Sequence, residues 1–179
     1  MLSVKIICVG RLKERFYSDA SAEYEKRLSG YCKLEVLEVP EYRLPEGIGL
    51  LAARPVRPTA GGIDSKNGNA LVLIALDKER ASIERRIPPG ALVVALCIEG
   101  REMDSDGLSG FLADCAVRGA SRLCFIVGGS FGLHDDIKKG ADLRLSMSRM
   151  TFPHNLARVV LLEQLYRAFN TAEGGKYHK

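Results

Sequence analysis

The sequence predicts one α/β domain over residues 1–179, with a mainly parallel β-sheet and helices on both of its faces. Two short runs, residues 91–98 (ALVVALCI) and 123–127 (LCFIV), are apolar throughout, which is typical of parallel strands covered on both sides. Segments with helical spacing alternate with such runs, an order that favours an α/β fold. A chain of 179 residues has little room for a second domain.

The first half of the chain predicts two strands with a helix between them. Ser3–Val9 is a strand-like run that ends at Gly10, and residues 18–28 have the spacing of an amphipathic helix. Residues 34–39 (LEVLEV) alternate strictly between apolar and polar side chains, which indicates a half-buried strand that Pro40 ends.

The second half continues the alternation of strands and helices. Gly100 is expected to close the strand over residues 91–98, and Asp104 offers an N-cap to a helix that extends to about Val117. After the strand over 123–127, the pattern predicts a short helix near 135–139, a strand over 143–146 and a long helix over 155–169.

One segment does not fit this pattern. Residues 43–69 are rich in proline and glycine, and the apolar run that follows them, 71–76 (LVLIAL), predicts an extra strand. We expect an atypical loop or insertion over about 43–79 rather than a second domain.

Composition narrows the classes of function. The apolar fraction of 46% and the charged fraction of 27% are ordinary for a globular protein. There is no apolar run long enough to cross a bilayer and no leader-like start, so a cytoplasmic location is expected. The five cysteines form no C-x-x-C pair, which favours buried free thiols over disulfides or a metal site. The net charge of +4 permits an anionic partner such as RNA without requiring one.

Three loops follow strands and are candidates for a ligand site: residues 96–100, 128–132 and 148–153. In parallel sheets, ligands bind beyond the carboxyl ends of the strands. The loop GGSFG at 128–132 lets a ligand approach the backbone, although a simple tight turn explains it slightly better and its spacing does not match the dinucleotide fingerprint. In the third loop Pro153 precedes His154 and Asn155. Asn155 can cap the last helix, and a structural role for His154 is favoured over a catalytic one.

The last helix is apolar over a broad face, which suggests burial on two sides and a dimer interface. Arg158 lies within that face. It requires either an anionic partner or a side chain that extends to solvent, and the two readings have equal weight. Glu163 and Arg167 are expected to form a surface pair.

The terminal Tyr177 and His178 follow a glycine pair. These side chains suit RNA contact, although a loose tail is the simpler explanation.

Taken together, these segments resemble one family. They are VKIICVG, EYEKRL, LEVLEVPE, VVALCIEGREMDS, FIVGGSFGL, ADLRLSMSRMTFPHNLARVVLLEQLYRAFN and the terminal YHK. They resemble the small SPOUT-class methyltransferases that N3-methylate a pseudouridine in bacterial large-subunit ribosomal RNA. The resemblance covers nearly the whole chain outside residues 43–90. Residues 43 to about 79 depart from the family, which has a shorter, charged helical stretch there.

The resemblance implies a deep trefoil knot in the C-terminal half, a homodimer and a bent S-adenosylmethionine held by the knot loops. Carried onto this chain, the cofactor would be bound by Leu96, Gly129, Ser148, Arg149, Met150, Thr151, Phe152 and Pro153. These positions lie in the three loops at strand ends. For Arg149 and Phe152 the backbone is expected to matter more than the side chain.

The chemistry that the resemblance implies needs no metal, because the methyl donor is already activated. The acceptor nitrogen of pseudouridine carries an imide proton that must leave. His178 is the best candidate for the base, Arg158 for a cation that stabilises the imide anion or holds a phosphate, and Tyr177 for a neighbour in the same site.

Two other functions stay open. One is a knotted dimer that binds RNA or ribosomes with little catalysis, in which the segment over 43–79 blocks the substrate face. The other is a nucleotide-binding oxidoreductase, suggested by the glycine loop alone.

Overall fold

The computed structural model describes residues 1–44 and 65–175. Five parallel strands form one sheet in the order β2-β1-β4-β3-β5. Because every neighbouring pair is parallel, the carboxyl ends of the strands meet at one edge. The strands are β1 (Ser3–Val9), β2 (Lys33–Val39), β3 (Leu92–Glu102), β4 (Arg122–Val127) and β5 (Leu143–Ser146).

Helices cover both faces of the sheet, as the sequence predicts. They are α1 (Arg15–Leu28), α2 (Ser65–Glu84), α3 (Ser105–Val117), α4 (Asp135–Gly140) and α5 (His154–Ala172). Alternate residues of β1 enter separate cores: Ile6 packs with side chains of α1, α3 and α5, whereas Ile7 packs with side chains of α2 and α4. The α/β prediction is therefore confirmed, while the trefoil knot stays a prediction.

The prediction of a strand over residues 71–76 was wrong, because this run lies inside α2. Ala75, Glu79 and Ile83 are the buried positions, and their spacing of four residues is that of one helix face. Leu73 and Ile74 stay exposed. The apolar run is part of a long helix, and a window of six residues is too short to show the helical spacing of its buried side chains.

The sequence predicted that Gly100 closes the strand β3, but β3 continues to Glu102. Its register against β5 shifts between Leu96 and Arg101. At the shift the backbone of Gly100 lies so close to β5 that a Cβ atom there would be 2.7 Å from the carbonyl carbon of Leu145. Glycine therefore permits a close approach within the strand instead of ending it.

The last helix, α5, packs against α1 and α3 of the same chain. Its buried residues are Arg158, Leu161, Leu162, Leu165 and Ala168. The broad apolar face of this helix is thus covered within the chain, and its breadth alone no longer requires a partner. The homodimer stays a prediction.

Asn155 does not cap α5, contrary to the sequence expectation. Pro153 occupies the N-cap position, and no side chain caps the helix there. The Asn155 amide instead donates to Glu14 at 3.4 Å, so this residue links α5 to the start of α1. The predicted cap of α3 is confirmed, because Asp104 accepts the Gly107 N–H at 2.7 Å.

All five cysteines are free thiols, as predicted. Burial raises the pKa of Cys8 to about 12 and the pKa values of Cys32 and Cys124 to about 11, so these thiols are inert. Within residues 1–44 and 65–175, no helix is long and apolar enough to span a membrane. In the same ranges, no cluster of His, Cys, Asp and Glu side chains could hold a metal ion.

Candidate active site

The three loops singled out in the sequence surround one cleft of about 840 Å³ at the carboxyl edge of the sheet. Its walls come from the ends of β3, β4 and β5 and from the start of α5. Seven of the eight residues assigned to the cofactor line it: Leu96, Gly129, Ser148, Met150, Thr151, Phe152 and Pro153. The fold thus brings together positions that are more than 50 residues apart in the chain.

Arg149 is the exception. Its side chain is almost fully exposed and extends away from the cleft toward Glu102, with 3.6 Å between Nε and the nearest carboxylate oxygen.

The loop over residues 146–150 is held by its own hydroxyl groups. Ser146 Oγ donates to the carbonyl oxygen of Ser148 at 3.0 Å, and Ser148 Oγ accepts the Met150 N–H at the same distance. These local bonds turn the chain sharply after β5. They leave the apolar side chains of Met150 and Phe152 on the wall of the cleft.

The glycine loop is both a tight turn and a wall of the cleft. Gly132 N–H donates to the carbonyl oxygen of Gly129 at 3.0 Å, and Gly132 has a positive φ of 79°. A Cβ atom at Gly128 would lie 2.5 Å from the backbone of Gly132, so the turn itself requires glycine there. A Cβ atom at Gly129 would instead meet Val9 Cγ1 of β1 at 2.8 Å.

A polar group lies at the rim of the cleft, next to the glycine loop. Glu41 accepts hydrogen bonds from both the N–H and the hydroxyl of Ser130. Burial opposes ionisation of Glu41, but these two hydrogen bonds and the charges of His154 and Arg43 outweigh it and lower the pKa of the carboxyl. A carboxylate is therefore held beside the cleft at neutral pH.

His154 belongs to the same rim, because its side chain lines the cleft and faces Gly10 at the end of β1. Gly10 has a φ of +88°, and a side chain there would lie 3.4 Å from His154 Nε2 and 3.7 Å from Glu41 Oε2. Glycine thus keeps the space between the imidazole and the carboxylate open. Sequence analysis did not single out Glu41 as a site residue, and it favoured a structural role for His154 over a catalytic one.

Arg158 does not line the cleft. It is 7% exposed and lies between α1 and β2, where its Nη1 is 2.7 Å from Glu38 and its Nη2 is 3.8 Å from Glu25. Of the two alternatives that the sequence left open for Arg158, the structure shows the anionic partner, in the form of carboxylates of the same chain. Burial raises the pKa of Glu25; the charge of Arg158 opposes this rise, and the charge of Glu38 adds to it.

The predicted pair of Glu163 and Arg167 is present, but it is partly buried and not a surface pair. Tyr177 and His178 lie outside the described residues. Sequence reasoning also missed Glu99 and Lys138, which are paired at 2.7 Å and line the cleft.

Comparison with known proteins decides the family. A family model described as "Predicted SPOUT methyltransferase" matches residues 2–178. The chain belongs to the SPOUT methyltransferase family. The resemblance and the predicted class of enzyme are thereby confirmed, and the prediction of a nucleotide-binding oxidoreductase is not supported.

The similar proteins named in the comparison cover the whole chain. A ribosomal RNA large subunit methyltransferase H of Clostridium botulinum (strain Eklund 17B) is 42% identical, and one of Clostridioides difficile (strain 630) is 39% identical. In both cases the match spans 99% of this chain and 100% of the relative.

Two solved structures share the fold. A probable methylase family protein from Haemophilus influenzae has a TM-score of 0.54 at 12% identity, over 100% of this chain and 72% of that one. A probable methyltransferase from Bordetella pertussis has the same TM-score at 16% identity, over 94% and 96% of the two chains.

Proposed function

We propose that this SPOUT methyltransferase uses S-adenosylmethionine to N3-methylate a pseudouridine of the large-subunit ribosomal RNA. The observation that carries the proposal is the single cleft formed by the three predicted loops, in a chain about 40% identical to large-subunit rRNA methyltransferases over its full length. The mildly basic net charge of +4 agrees with an RNA substrate.

The cleft suits S-adenosylmethionine in size and chemistry. About 840 Å³ is within the usual range for a small-molecule site, and the walls combine apolar side chains with loop backbone. We assign adenosine contacts to Leu96, Gly129 and the run Ser148–Pro153, of which Arg149 contributes only its backbone. The bound cofactor supplies an electrophilic methyl group on a sulfonium, so the protein needs no metal for this reaction.

The protein must also remove the imide proton from the acceptor nitrogen and orient the ring. We assign the proton to His178, whose imidazole titrates near neutral pH, and we place Tyr177 beside it. His154 and Glu41 at the rim of the cleft offer a donor and an acceptor for the polar edge of the base.

For Arg158 the ion pairs favour an indirect role. Its charge is already balanced by Glu38 and Glu25, so it holds α1, β2 and the start of α5 in register. That start carries His154 and follows the loop assigned to the cofactor. We therefore assign Arg158 as a positioning residue and not as a group that contacts the RNA.

The natural substrate is ribosomal RNA within the large subunit or the assembled ribosome, and the active form is a homodimer in the cytoplasm. The competing function, a dimer that binds ribosomes with little catalysis, differs in one observable. It predicts binding without methyl transfer.

The test is mass spectrometry of ribosomal RNA from a strain that lacks the gene, with and without complementation. We expect one methylated pseudouridine in the large-subunit RNA to disappear and return. Ribosomes from the deletion strain should accept about one methyl group each from purified protein and S-adenosylmethionine. Ribosomes that bind the protein but accept no methyl group would instead support the binding function.

A further inference from the structure

A second, basic groove of about 510 Å³ lies next to the cleft, at the edge of the sheet formed by β5. Its walls come from the end of β3, the end of α4 and the start of β5. The lining residues are Glu99, Gly100, Arg101, Lys138, Lys139, Ala141, Asp142, Leu143 and Arg144.

The acidic side chains of the groove are already engaged by protein groups. Glu99 binds Lys138 at 2.7 Å, and Asp142 accepts the N–H of Val93 at 2.7 Å. Lys138 is also bound by Asp135 at 2.8 Å. Asp142 keeps its negative charge, but the four cations of the groove outnumber its two carboxylates.

Three cations of the groove, Arg101, Lys139 and Arg144, are exposed. In the described part of the chain none of the three forms a salt bridge, unlike Lys138 beside them. Unpaired guanidinium and ammonium groups that share a concave wall are suited to several anionic oxygens at once.

The register of the sheet brings these cations together. The shift in β3 places Arg101 opposite Leu145, next to Arg144 on the neighbouring strand. The shift depends on Gly100, whose backbone approaches β5 too closely for any side chain. The register shift of β3 that shapes the loop over residues 96–100 therefore also brings these cations together.

The groove is continuous with the cleft, because Glu99 and Lys138 line both. We propose that the groove binds the sugar-phosphate backbone of the RNA strand that flanks the target nucleotide. The proposal rests on the proposed function, since the strand must reach from this groove to the cleft where the methyl group is transferred.

The lining favours phosphates over bases. Among the described residues, the lining has no aromatic ring and its apolar side chains are only Ala141 and Leu143, so this part of the groove offers a base no aromatic ring on which to stack. Arginine and lysine contacts to phosphates set position and affinity without reading sequence. The groove therefore holds the strand, while the cleft selects the nucleotide.

The experiment compares two triple variants with the same change in charge. The first is Arg101→Gln, Lys139→Gln and Arg144→Gln in the groove. The control removes three exposed cations at the opposite, amino edge of the sheet: Lys33→Gln, Arg85→Gln and Arg118→Gln. KM for ribosomes and Kd for a fluorescent RNA fragment of the target region are measured from about 50 to 200 mM salt.

For the groove variant, the slope of log affinity against log salt should be shallower than that of the wild type by about 2 to 3, since each phosphate contact contributes about 0.7 to 0.9 to its magnitude. For the single variant Lys139→Gln, this slope should be shallower by about 1. Affinity for S-adenosylmethionine should stay within twofold of the wild type, which also shows that the variants are folded. The control triple should keep a slope close to that of the wild type.

An unchanged slope in the groove variant would overturn the proposal, and so would equal losses in both triples. If wild-type protein methylates no ribosome, the proposed function fails first. The RNA-binding slopes still decide whether the groove holds a nucleic-acid strand.

Discussion

At the scale of single residues, Glu79 shows how a buried carboxyl depends on its surroundings. It is 3% exposed on α2 and accepts the N–H of Tyr42 at 2.9 Å. Burial raises its pKa to about 7; the hydrogen bond from Tyr42 partly opposes this, and the charge of Glu41 adds to it. Folding therefore favours the protonated form.

We expect the pH dependence of stability to reveal this carboxyl. Its pKa rises from an ordinary 4.5 to about 7 on folding, so its stability contribution is fully present below pH 4.5 and is lost as pH rises to about 7. Glu79→Gln keeps an oxygen acceptor for Tyr42 without the charge. The variant should be about 1–3 kcal/mol more stable than the wild type at pH 8, and the difference should vanish near pH 4.5.

Urea unfolding at pH 4.5, 6 and 8 measures the effect. Glu84→Gln makes the same change at an exposed position of the same helix and serves as the control. A constant difference between wild type and Glu79→Gln across this range would show that Glu79 does not titrate there.

At the scale of elements, α1, the turn that follows it and α5 carry a group of aromatic rings that packing within the chain leaves half-buried. Tyr31 is 5.8 Å from Tyr166 and 6.3 Å from Phe169 between ring centroids, and Tyr24 lies 6.4 Å from Tyr166. Arg27 lies over two of these rings. Large aromatic side chains with an arginine are typical of the central part of protein interfaces.

We predict that the chain forms a homodimer in which the aromatic group of α1 and α5 is covered by the partner. Sedimentation velocity at micromolar concentration should give a mass of about twice 19.6 kDa. Because the contact is apolar, the mass should not fall in 0.5 M salt. A monomer under both conditions would show that the chain alone is the functional unit.

At the scale of the whole molecule, the cleft lies at the carboxyl edge of the sheet, and a hydrogen-bonded turn follows the last helix. Gly174 N–H donates to Thr171 and Gly175 N–H donates to Asn170, at 3.0 and 2.8 Å. Gly174 has a φ of +75°, which favours glycine. The glycine pair therefore forms a defined turn at the end of α5.

We predict that the last four residues act in catalysis and not in cofactor binding. Deleting residues 176–179 should leave S-adenosylmethionine affinity within a few fold, while methyl transfer to ribosomes falls about 100- to 10,000-fold. His178→Ala should account for part of the loss, and its remaining activity should rise with pH as the imide ionises unaided. Lys179→Ala, a change in the same tail outside the assigned groups, should stay near wild-type activity.

Isothermal titration and methyl incorporation measure the two effects separately. A truncated protein that methylates ribosomes at the normal rate would exclude the tail from the active site, and the base would then have to be sought among the rim residues such as His154.

Local patterns in the sequence located the five strands, most helices and the loops of the cleft, but they also predicted a false strand over residues 71–76. Residues 123–127 are apolar because both faces of β4 are covered, and the three loops that follow strands line one cleft. These features depend on backbone periodicity and on loops at strand ends, which are properties of short segments. The family resemblance then supplied the methyltransferase class.

The tertiary structure decided everything that depends on distant neighbours. It showed that residues 71–76 lie in a helix, that Glu38 is the partner of Arg158 across 120 positions, and that Arg101 and Arg144 share a groove. It also showed α1 and α3 covering the broad face of α5. Packing and strand register determine which side chain contacts a given charge or apolar face. Neither can be predicted from short segments of the sequence.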